Sequence, residues 1–299
     1  MRSLSCAGSP LKPSLGITRY SKVTAGEPLG EAANVKLICA DLRAEYGELD
    51  AFVSSLDEQE WRQATPFYSW SIYDEIAHLC YTDSNTLLAI EDAEAFKIHA
   101  HNLVAWMVAD KPLMEFSFAD MGQPPVPDLL TRWREVREQL LQKAQTYSPK
   151  DRFPWYGPSM STQSLMTARI MEVWAHGQDI YDTLKITRKS SDRIRHIAHL
   201  GVLTYQWSFV TNQQEPPKQP PFVELTAPLG ELWRWGDECT EDYVKGRAVD
   251  FCLLVTRRRN LQDLALESRG MAAGAWLQIA QCFAGPPEPG PEPGGRVWD

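Results

Sequence analysis

The sequence predicts a mainly α-helical protein, in which a four-helix bundle is followed by a small α+β unit. In the first two thirds of the chain, apolar residues recur with helical spacing in several long segments. After the proline-rich stretch N-Q-Q-E-P-P-K-Q-P-P, the pattern changes to the alternation that is typical of short strands. The 299 residues are enough to bury a large core without help from a metal.

The first part of the bundle begins after a leader. Residues 1–30 are rich in Ser, Gly and Pro and lack the continuous apolar core of a secretory signal, which favours a disordered leader. Residues 31–56 then form a long amphipathic pattern that predicts the first helix. The second helix is expected to begin near Ser71, an N-cap residue with Asp74 three positions later.

The remaining helices are separated by proline-rich breaks. Residues 90–121 look helical in part, and residues 129–147 form the third strongly amphipathic helix, with a solvated face of Arg, Glu and Gln. Residues 161–184 form the fourth helix of the bundle, and residues 192–212 form a fifth helix. We therefore assign residues 31–212 to a helical bundle and residues 213–220 to a linker.

The second unit is assigned to residues 221–285. The segments F-V-E-L-T-A and E-L-W-R-W-G predict a hairpin, and residues 248–257 and 272–283 are apolar enough for two buried helices. Residues 286–299 contain P-P-E-P-G-P-E-P-G-G, a composition that predicts a disordered tail.

Charge and cysteine usage restrict the partners. A formal charge of -9 argues against nucleic acid and against an anionic membrane surface, and no apolar run approaches the roughly 20 residues of a membrane span. The six cysteines form no C-x-x-C pair and mostly lie in apolar patterns, which favours reduced thiols in a cytoplasmic protein. The sequence indicates a small-molecule substrate and predicts no particular oligomeric state.

Three residues are candidate metal ligands. In R-I-M-E-V-W-A-H, Glu172 and His176 are four residues apart and project from one face of a helix, and His78 on the second helix is the best third ligand. Asp179 is a candidate to orient His176, and Asp74 is a candidate to orient His78; taken singly, each is more simply interpreted as a helix-surface carboxylate. The alternative is that Glu172 and His176 share a surface hydrogen bond and that His78 is an ordinary core histidine.

Two imidazoles and one carboxylate suit a divalent transition metal and leave a coordination position open for water or substrate. The basic run Arg257, Arg258 and Arg259 would bind an anionic substrate group or, alternatively, form a solvated helix end. The sequence contains no Gly-rich phosphate loop and no G-x-S-x-G motif.

W-S-I-Y-D-E-I-A-H-L, followed about a hundred residues later by R-I-M-E-V-W-A-H-G-Q-D-I-Y-D, resembles the DinB-like four-helix bundles of the mycothiol-dependent maleylpyruvate isomerase family. The segments V-K-G-R-A-V-D-F-C-L-L-V-T-R-R-R and A-W-L-Q-I-A-Q-C-F-A-G-P-P resemble its C-terminal domain, which is related to sterol carrier proteins. The resemblance implies metal binding by His78, Glu172 and His176, and it implies that Arg258 is the counterpart of a catalytic arginine. The family's turn has a glycine where this chain reads T-R-R-R.

Two functional hypotheses follow. The first is an enzyme that binds a divalent metal (zinc by resemblance, with nickel or iron as alternatives) and uses a low-molecular-weight thiol for isomerisation or transfer on a small organic acid. The second is a non-catalytic carrier of a hydrophobic small molecule, because 11 Trp and 10 Phe are enough to line an apolar pocket.

Overall fold

The structure, a computed structural model, describes residues 31–296, with side chains described from Val35 onward. The predicted leader, residues 1–30, lies outside the described residues. The helices are α1 (Glu31–Val53), α2 (Glu58–Trp61), α3 (Ile72–Glu91), α4 (Ala93–Val108), α5 (Leu113–Met121), α6 (Val126–Ala144), α7 (Thr162–Thr183), α8 (Arg195–Leu203), α9 (Tyr205–Thr211), α10 (Ala248–Val255) and α11 (Met271–Ile279). The strands are β1 (Arg152–Phe153), β2 (Met160–Ser161), β3 (Phe222–Thr226), β4 (Leu232–Trp235), β5 (Tyr243–Arg247) and β6 (Leu266–Arg269).

Helices α1, α3, α6 and α7 form the predicted four-helix bundle, and α3 packs against both α6 and α7. Ser71 caps α3 as predicted: its hydroxyl accepts from the backbone N–H of Asp74, and the Asp74 carboxylate accepts from the backbone N–H of Ser71. Ser161 caps α7 through the N–H of Ser164. The two helices that carry the candidate ligands therefore begin at side-chain caps.

The predicted fifth helix is divided into two. A 3₁₀ turn at Asp192–Ile194 precedes α8, and Thr204 separates α8 from α9. The Thr204 hydroxyl donates to the carbonyl oxygens of Leu200 (2.8 Å) and Gly201 (3.0 Å). The segment predicted as one helix is therefore interrupted at Thr204.

The α+β unit is also confirmed, with more strands than predicted. Its sheet has the order β4-β3-β5-β6, in which β3 and β4 form the predicted antiparallel hairpin, β3 and β5 are parallel, and β5 and β6 are antiparallel. The strands β5 and β6 were missed because β5 contains Gly246 and β6 is largely exposed, so neither shows a clear apolar alternation.

Helix α10 packs against α8 and joins this sheet to the bundle. At this contact, a Cβ on Gly201 would lie 2.9 Å from the Phe251 ring, so the two helices approach closely because residue 201 has no side chain. The core residues of both units form one continuous cluster.

Residues 286–296, which the composition assigned to a disordered tail, instead pack against the body of the protein. Gln281 donates to the carbonyl oxygen of Pro286, Asn260 donates to that of Pro291, and Arg296 is only 8% exposed. Composition did not predict this packing, because it depends on contacts with side chains elsewhere in the chain, such as Asn260. None of the helices described in residues 31–296 has the length and apolarity needed to cross a bilayer.

Candidate metal centre

Three polar side chains on α3 and α7 converge at one end of the bundle. The Nε2 atom of His176 lies 3.2 Å from Glu172 Oε2, and the Nε2 atom of His78 lies 3.5 Å from the same oxygen. One donor atom from each residue can be chosen so that all three lie within 4.8 Å of one another. The structure thus brings together the three residues that the sequence singled out, and their binding of a metal stays a prediction.

The electrostatics of His78 and Glu172 suit a cation. Burial lowers the pKa of His78 to about 4, so its imidazole is neutral at pH 7. Burial opposes ionisation of Glu172, but hydrogen bonds from His176 and His78 outweigh it and hold the pKa well below the ordinary value. A neutral imidazole and an ionised carboxylate are the protonation states in which these side chains bind metals.

His176 is held from its other side by Glu75. Its Nδ1 atom lies 2.6 Å from Glu75 Oε2, and Glu75 Oε1 accepts from the Thr65 hydroxyl at 2.6 Å. Burial opposes protonation of His176, but its bonds to Glu172 and Glu75 raise the pKa to about 9. Without an ion, His176 is therefore protonated at pH 7, with Nδ1–H donating to Glu75 and Nε2–H donating to Glu172. An ion bound at Nε2 would displace the proton there and leave Nδ1–H on Glu75, as in metal-binding histidines whose second nitrogen donates to a carboxylate.

The two carboxylates predicted to orient the histidines have other roles. Asp74 belongs to the N-terminal cap of α3. Asp179 is fully buried and accepts from Arg258 (2.6 Å) and from Arg296 (2.6 Å). Glu75 takes the role expected of Asp179, and because it reaches His176 from another helix, no spacing within either motif indicated it.

Arg169 is a charged group beside Glu172. Arg169 is buried and lies 3.8 Å from Glu172 Oε1 and 3.8 Å from Asp83 Oδ1. Asp83 is itself buried and accepts hydrogen bonds from Tyr46 (2.7 Å) and Trp133 (3.1 Å). The field of Arg169 helps to keep Glu172 ionised, which no periodicity in the sequence indicated.

Aromatic rings from the loop before α3 cover the histidines. The Trp70 ring is nearly parallel to His176, with centroids 6.1 Å apart, and the Phe67 ring meets His176 edge-on at 5.1 Å. Trp70 also lies 5.2 Å from the His78 ring. These rings limit water access to one side of the site, which strengthens electrostatic interactions there.

The three residues form part of the wall of a cavity of about 1050 Å³. The opposite wall comes from the α+β unit and the C-terminal segment, including Arg257, Arg258, Phe283 and Arg296. A cavity of this size is large enough for a small organic molecule together with a thiol cofactor.

Arg258, the predicted catalytic arginine, is 4% exposed and already engaged. Its Nε and Nη2 atoms donate to Asp179, Nη1 donates to the carbonyl oxygen of Thr256, and the guanidinium lies 4.6 Å from the Phe67 ring centroid. Arg258 therefore ties α7 to the α+β unit beside the cavity, and its assignment as a catalytic residue stays a prediction. The expectation of a solvated basic run is wrong, because Arg257 and Arg258 are both buried.

The histidines that the sequence left unassigned do not line this cavity. His196 pairs with Asp41 (2.8 Å), His199 accepts from the Trp235 indole, and His99 lies 3.2 Å from Tyr81 and from Tyr156. The second grouping of possible ligands, Glu75, His176 and Asp179, is already occupied by internal hydrogen bonds.

Comparison with known proteins identifies the family. Residues 42–181 match the family described as "Mycothiol maleylpyruvate isomerase N-terminal domain". The uncharacterized proteins Rv0036c (strain ATCC 25618 / H37Rv) and MT0041 (strain CDC 1551 / Oshkosh) of Mycobacterium tuberculosis are each 40% identical to this chain over 248 residues, covering 83% of it and 95% of the relative. The chain belongs to the mycothiol-dependent maleylpyruvate isomerase family.

Solved structures of a mycothiol-dependent maleylpyruvate isomerase are also similar. The crystal structure of the enzyme aligns with a TM-score of 0.47 and 14% identity, and that of a histidine-to-alanine mutant with a TM-score of 0.49 and 15% identity. Each alignment covers 75% of this chain and 89% of the solved one. In this member of the mycothiol-dependent maleylpyruvate isomerase family, the candidate ligands Glu172 and His78 lie within the matched domain, as does His176.

Glu75→Gln is expected to weaken zinc binding roughly 10- to 100-fold, because an uncharged amide holds the His176 Nδ1–H less strongly than the carboxylate does. Zinc affinity is measured by competition with a chromophoric chelator. Asp74→Asn is the matched control on the same helix: it is expected to lower stability by up to about 1 kcal/mol through the cap while zinc affinity is unchanged. Equal zinc affinities of Glu75→Gln and wild type would contradict the role given to Glu75.

Proposed function

We propose that this protein is an enzyme that binds a divalent metal through His78, Glu172 and His176 and uses a low-molecular-weight thiol to isomerise, or transfer a group on, a small organic acid. The observation that carries the proposal is the convergence of these three donors at the wall of a cavity that arginines also line. Two imidazoles and a carboxylate are the donor set of catalytic zinc sites with an open position. Membership of the mycothiol-dependent maleylpyruvate isomerase family supports a thiol of the mycothiol type.

Each residue of the site has its own expected role. His78 and His176 would hold the ion through Nε2, while Glu75 fixes the orientation of His176 and Arg169 keeps Glu172 ionised. When bound, the ion would supply positive charge that favours the thiolate form of a thiol in the cavity. Phe67 and Trp70 limit the access of water to this side of the cavity.

The chain's own buried thiols are unsuited to act as the nucleophile. Burial raises the pKa of Cys39 to about 11 and of Cys80 to about 12, and it raises the pKa values of Cys252 and Cys282 as well. These thiols are protonated at pH 7 and are therefore poor nucleophiles. A diffusible thiol in the cavity is consistent with this distribution.

Metal analysis of the purified protein, followed by an assay of maleylpyruvate isomerisation with and without mycothiol, tests the proposal. We expect one equivalent of metal and turnover that requires both the metal and the thiol. Stoichiometric metal with no effect of thiol would reject the catalytic part. If His176→Ala instead retained a co-purifying apolar molecule among Phe67, Trp70 and Phe283, the carrier hypothesis would be favoured.

A further inference from the structure

The C-terminal strap, which we define as residues 284–296, forms one wall of the cavity. Its course is set by glycines with positive φ at Gly285, Gly290 and Gly294. The strap is attached at several points: the N–H of Gly294 donates to Asp263 at 2.9 Å, and Arg296 donates to Asp179 and to the carbonyl oxygen of Pro66. Side chains of the strap are therefore held in place beside the cavity.

Under this strap lies an arginine that lacks a salt-bridge partner. Arg257 is 9% exposed and lines the cavity, and no carboxylate in the described part of the chain lies within salt-bridge distance of it. Its Nε atom is buried without an acceptor among these residues, and its Nη2 donates to the carbonyl oxygen of Gln278 at 3.2 Å. Its neighbour Arg258, in contrast, donates hydrogen bonds to Asp179 and to the carbonyl oxygen of Thr256. A buried guanidinium without a counter-ion is costly, and an anionic ligand would relieve that cost.

The backbone at Arg257 adds an independent observation. Residue 257 has φ +59°, and it directly follows the C-cap of α10, where the N–H of Arg258 donates to the carbonyl oxygen of Leu253 at 2.8 Å. This helix-ending arrangement favours glycine, so an arginine here carries backbone strain. The strained backbone fixes the position from which the guanidinium reaches the cavity.

The strap also brings an acidic group to the same place. Glu288 accepts a hydrogen bond from the Tyr68 hydroxyl and lines the cavity. Burial lowers the pKa of Arg257, and the field of Glu288 opposes this shift only in part. Gly290 packs against the Arg257 side chain, where a Cβ would lie 3.4 Å from Cδ. Glu288 thus supplies a partial counter-charge at a distance longer than a salt bridge.

We propose that Arg257 is the anion-binding residue of the cavity, that it takes a carboxylate of the ligand, and that Glu288 of the strap is the counter-charge with which this carboxylate competes. The carboxylate class of the ligand rests on the proposed function. The site itself is defined by the unpaired buried guanidinium. Arg257 is then a binding residue for the substrate acid, whereas Arg258 positions Asp179 and Phe67.

The proposal is tested with the full-length, zinc-loaded protein by calorimetric titration of succinate, with succinamide as the uncharged probe. Arg257→Gly is the key variant, because glycine suits the backbone at this position and the fold is expected to persist, as circular dichroism checks. We expect succinate affinity to fall at least about tenfold in Arg257→Gly, since a charge-assisted hydrogen bond is lost. Glu288→Gln keeps the acceptor for Tyr68 and is expected to bind succinate about fivefold more tightly, because the competing charge is gone.

Glu215→Gln is the matched control, since it removes the same charge from an exposed position in the linker, outside the residues that line the cavity. We expect its succinate affinity to stay within about twofold of wild type, because an exposed charge is screened by solvent and salt. Wild-type succinate affinity in Arg257→Gly, at equal zinc content, would overturn the anion site. Equal gains in Glu288→Gln and Glu215→Gln would overturn the role of Glu288.

Because no thiol is present in this titration, its outcome is independent of turnover. Succinate binding through Arg257 in a protein that shows no thiol-dependent activity would reject the proposed function and leave the anion site in place. Thiol-dependent turnover with unchanged kinetics in Arg257→Gly would reject the anion site and leave the proposed function in place.

Discussion

Asp179→Asn is expected to lower the free energy of unfolding by about 3 kcal/mol, among the larger effects of a single substitution. Asp179 is 0% exposed, and its two oxygens accept from the guanidinium groups of Arg258 and Arg296. Asparagine keeps the volume of the side chain but leaves two buried cations without their carboxylate. Because these bonds join α7 to the α+β unit and to the C-terminal strap, both attachments weaken together.

Chemical denaturation of wild type and variant at pH 7 measures this effect. Glu138→Gln is the control, because Glu138 pairs with Arg43 at the surface, where both side chains are about half exposed. Its expected cost is under about 1 kcal/mol, as for most exposed ion pairs. A loss below about 1 kcal/mol in Asp179→Asn would show that the buried arginines find other partners.

His176→Ala is expected to reduce zinc affinity by more than about 100-fold and to abolish thiol-dependent turnover. The substitution removes one of three donors and leaves Glu75, which is fully buried, without the partner that lies 2.6 Å from its Oε2 atom. The loss should therefore exceed the loss in Glu75→Gln, in which all three donors remain.

The matched control for His176→Ala is His101→Ala. His101 is exposed on α4 and does not line the cavity, so zinc content and turnover should equal those of wild type. Metal analysis after dialysis and competition titration separate the two variants. If His176→Ala kept stoichiometric zinc with unchanged affinity, the three-residue site would be wrong.

The carboxylates at this centre fall into two groups that differ in exposure. Glu172 faces the cavity, with a side chain that is 21% exposed, and it contacts both histidines. Glu75 and Asp179 are both 0% exposed and are engaged by a histidine and by two arginines, respectively. Exposure to the cavity therefore distinguishes the candidate ligand from the residues that position it.

Much of the bundle could be predicted from local patterns. Ser71 and Asp74 identify the start of α3 because a capping box involves residues only three positions apart. The i, i+4 spacing of Glu172 and His176 likewise places them on one helix face without knowledge of the rest of the fold. In the α+β unit, the hairpin of β3 and β4 was predictable, whereas the parallel pairing of β3 with β5 depends on a crossover that no short pattern encodes.

Local sequence patterns were enough to predict the four bundle helices and the helix faces that carry His78, Glu172 and His176, because helical periodicity and capping are interactions between near neighbours. Long-range packing, in contrast, set three features: Glu75 rather than Asp179 holds His176, Arg258 has a carboxylate partner whereas Arg257 has none within residues 35–296, and the proline-rich strap packs against the cavity. Each of these depends on which of several carboxylates or cations lies nearest once distant segments pack together. The distances between side chains in the packed core set this pairing, because a buried charge without a partner raises the free energy of the folded state.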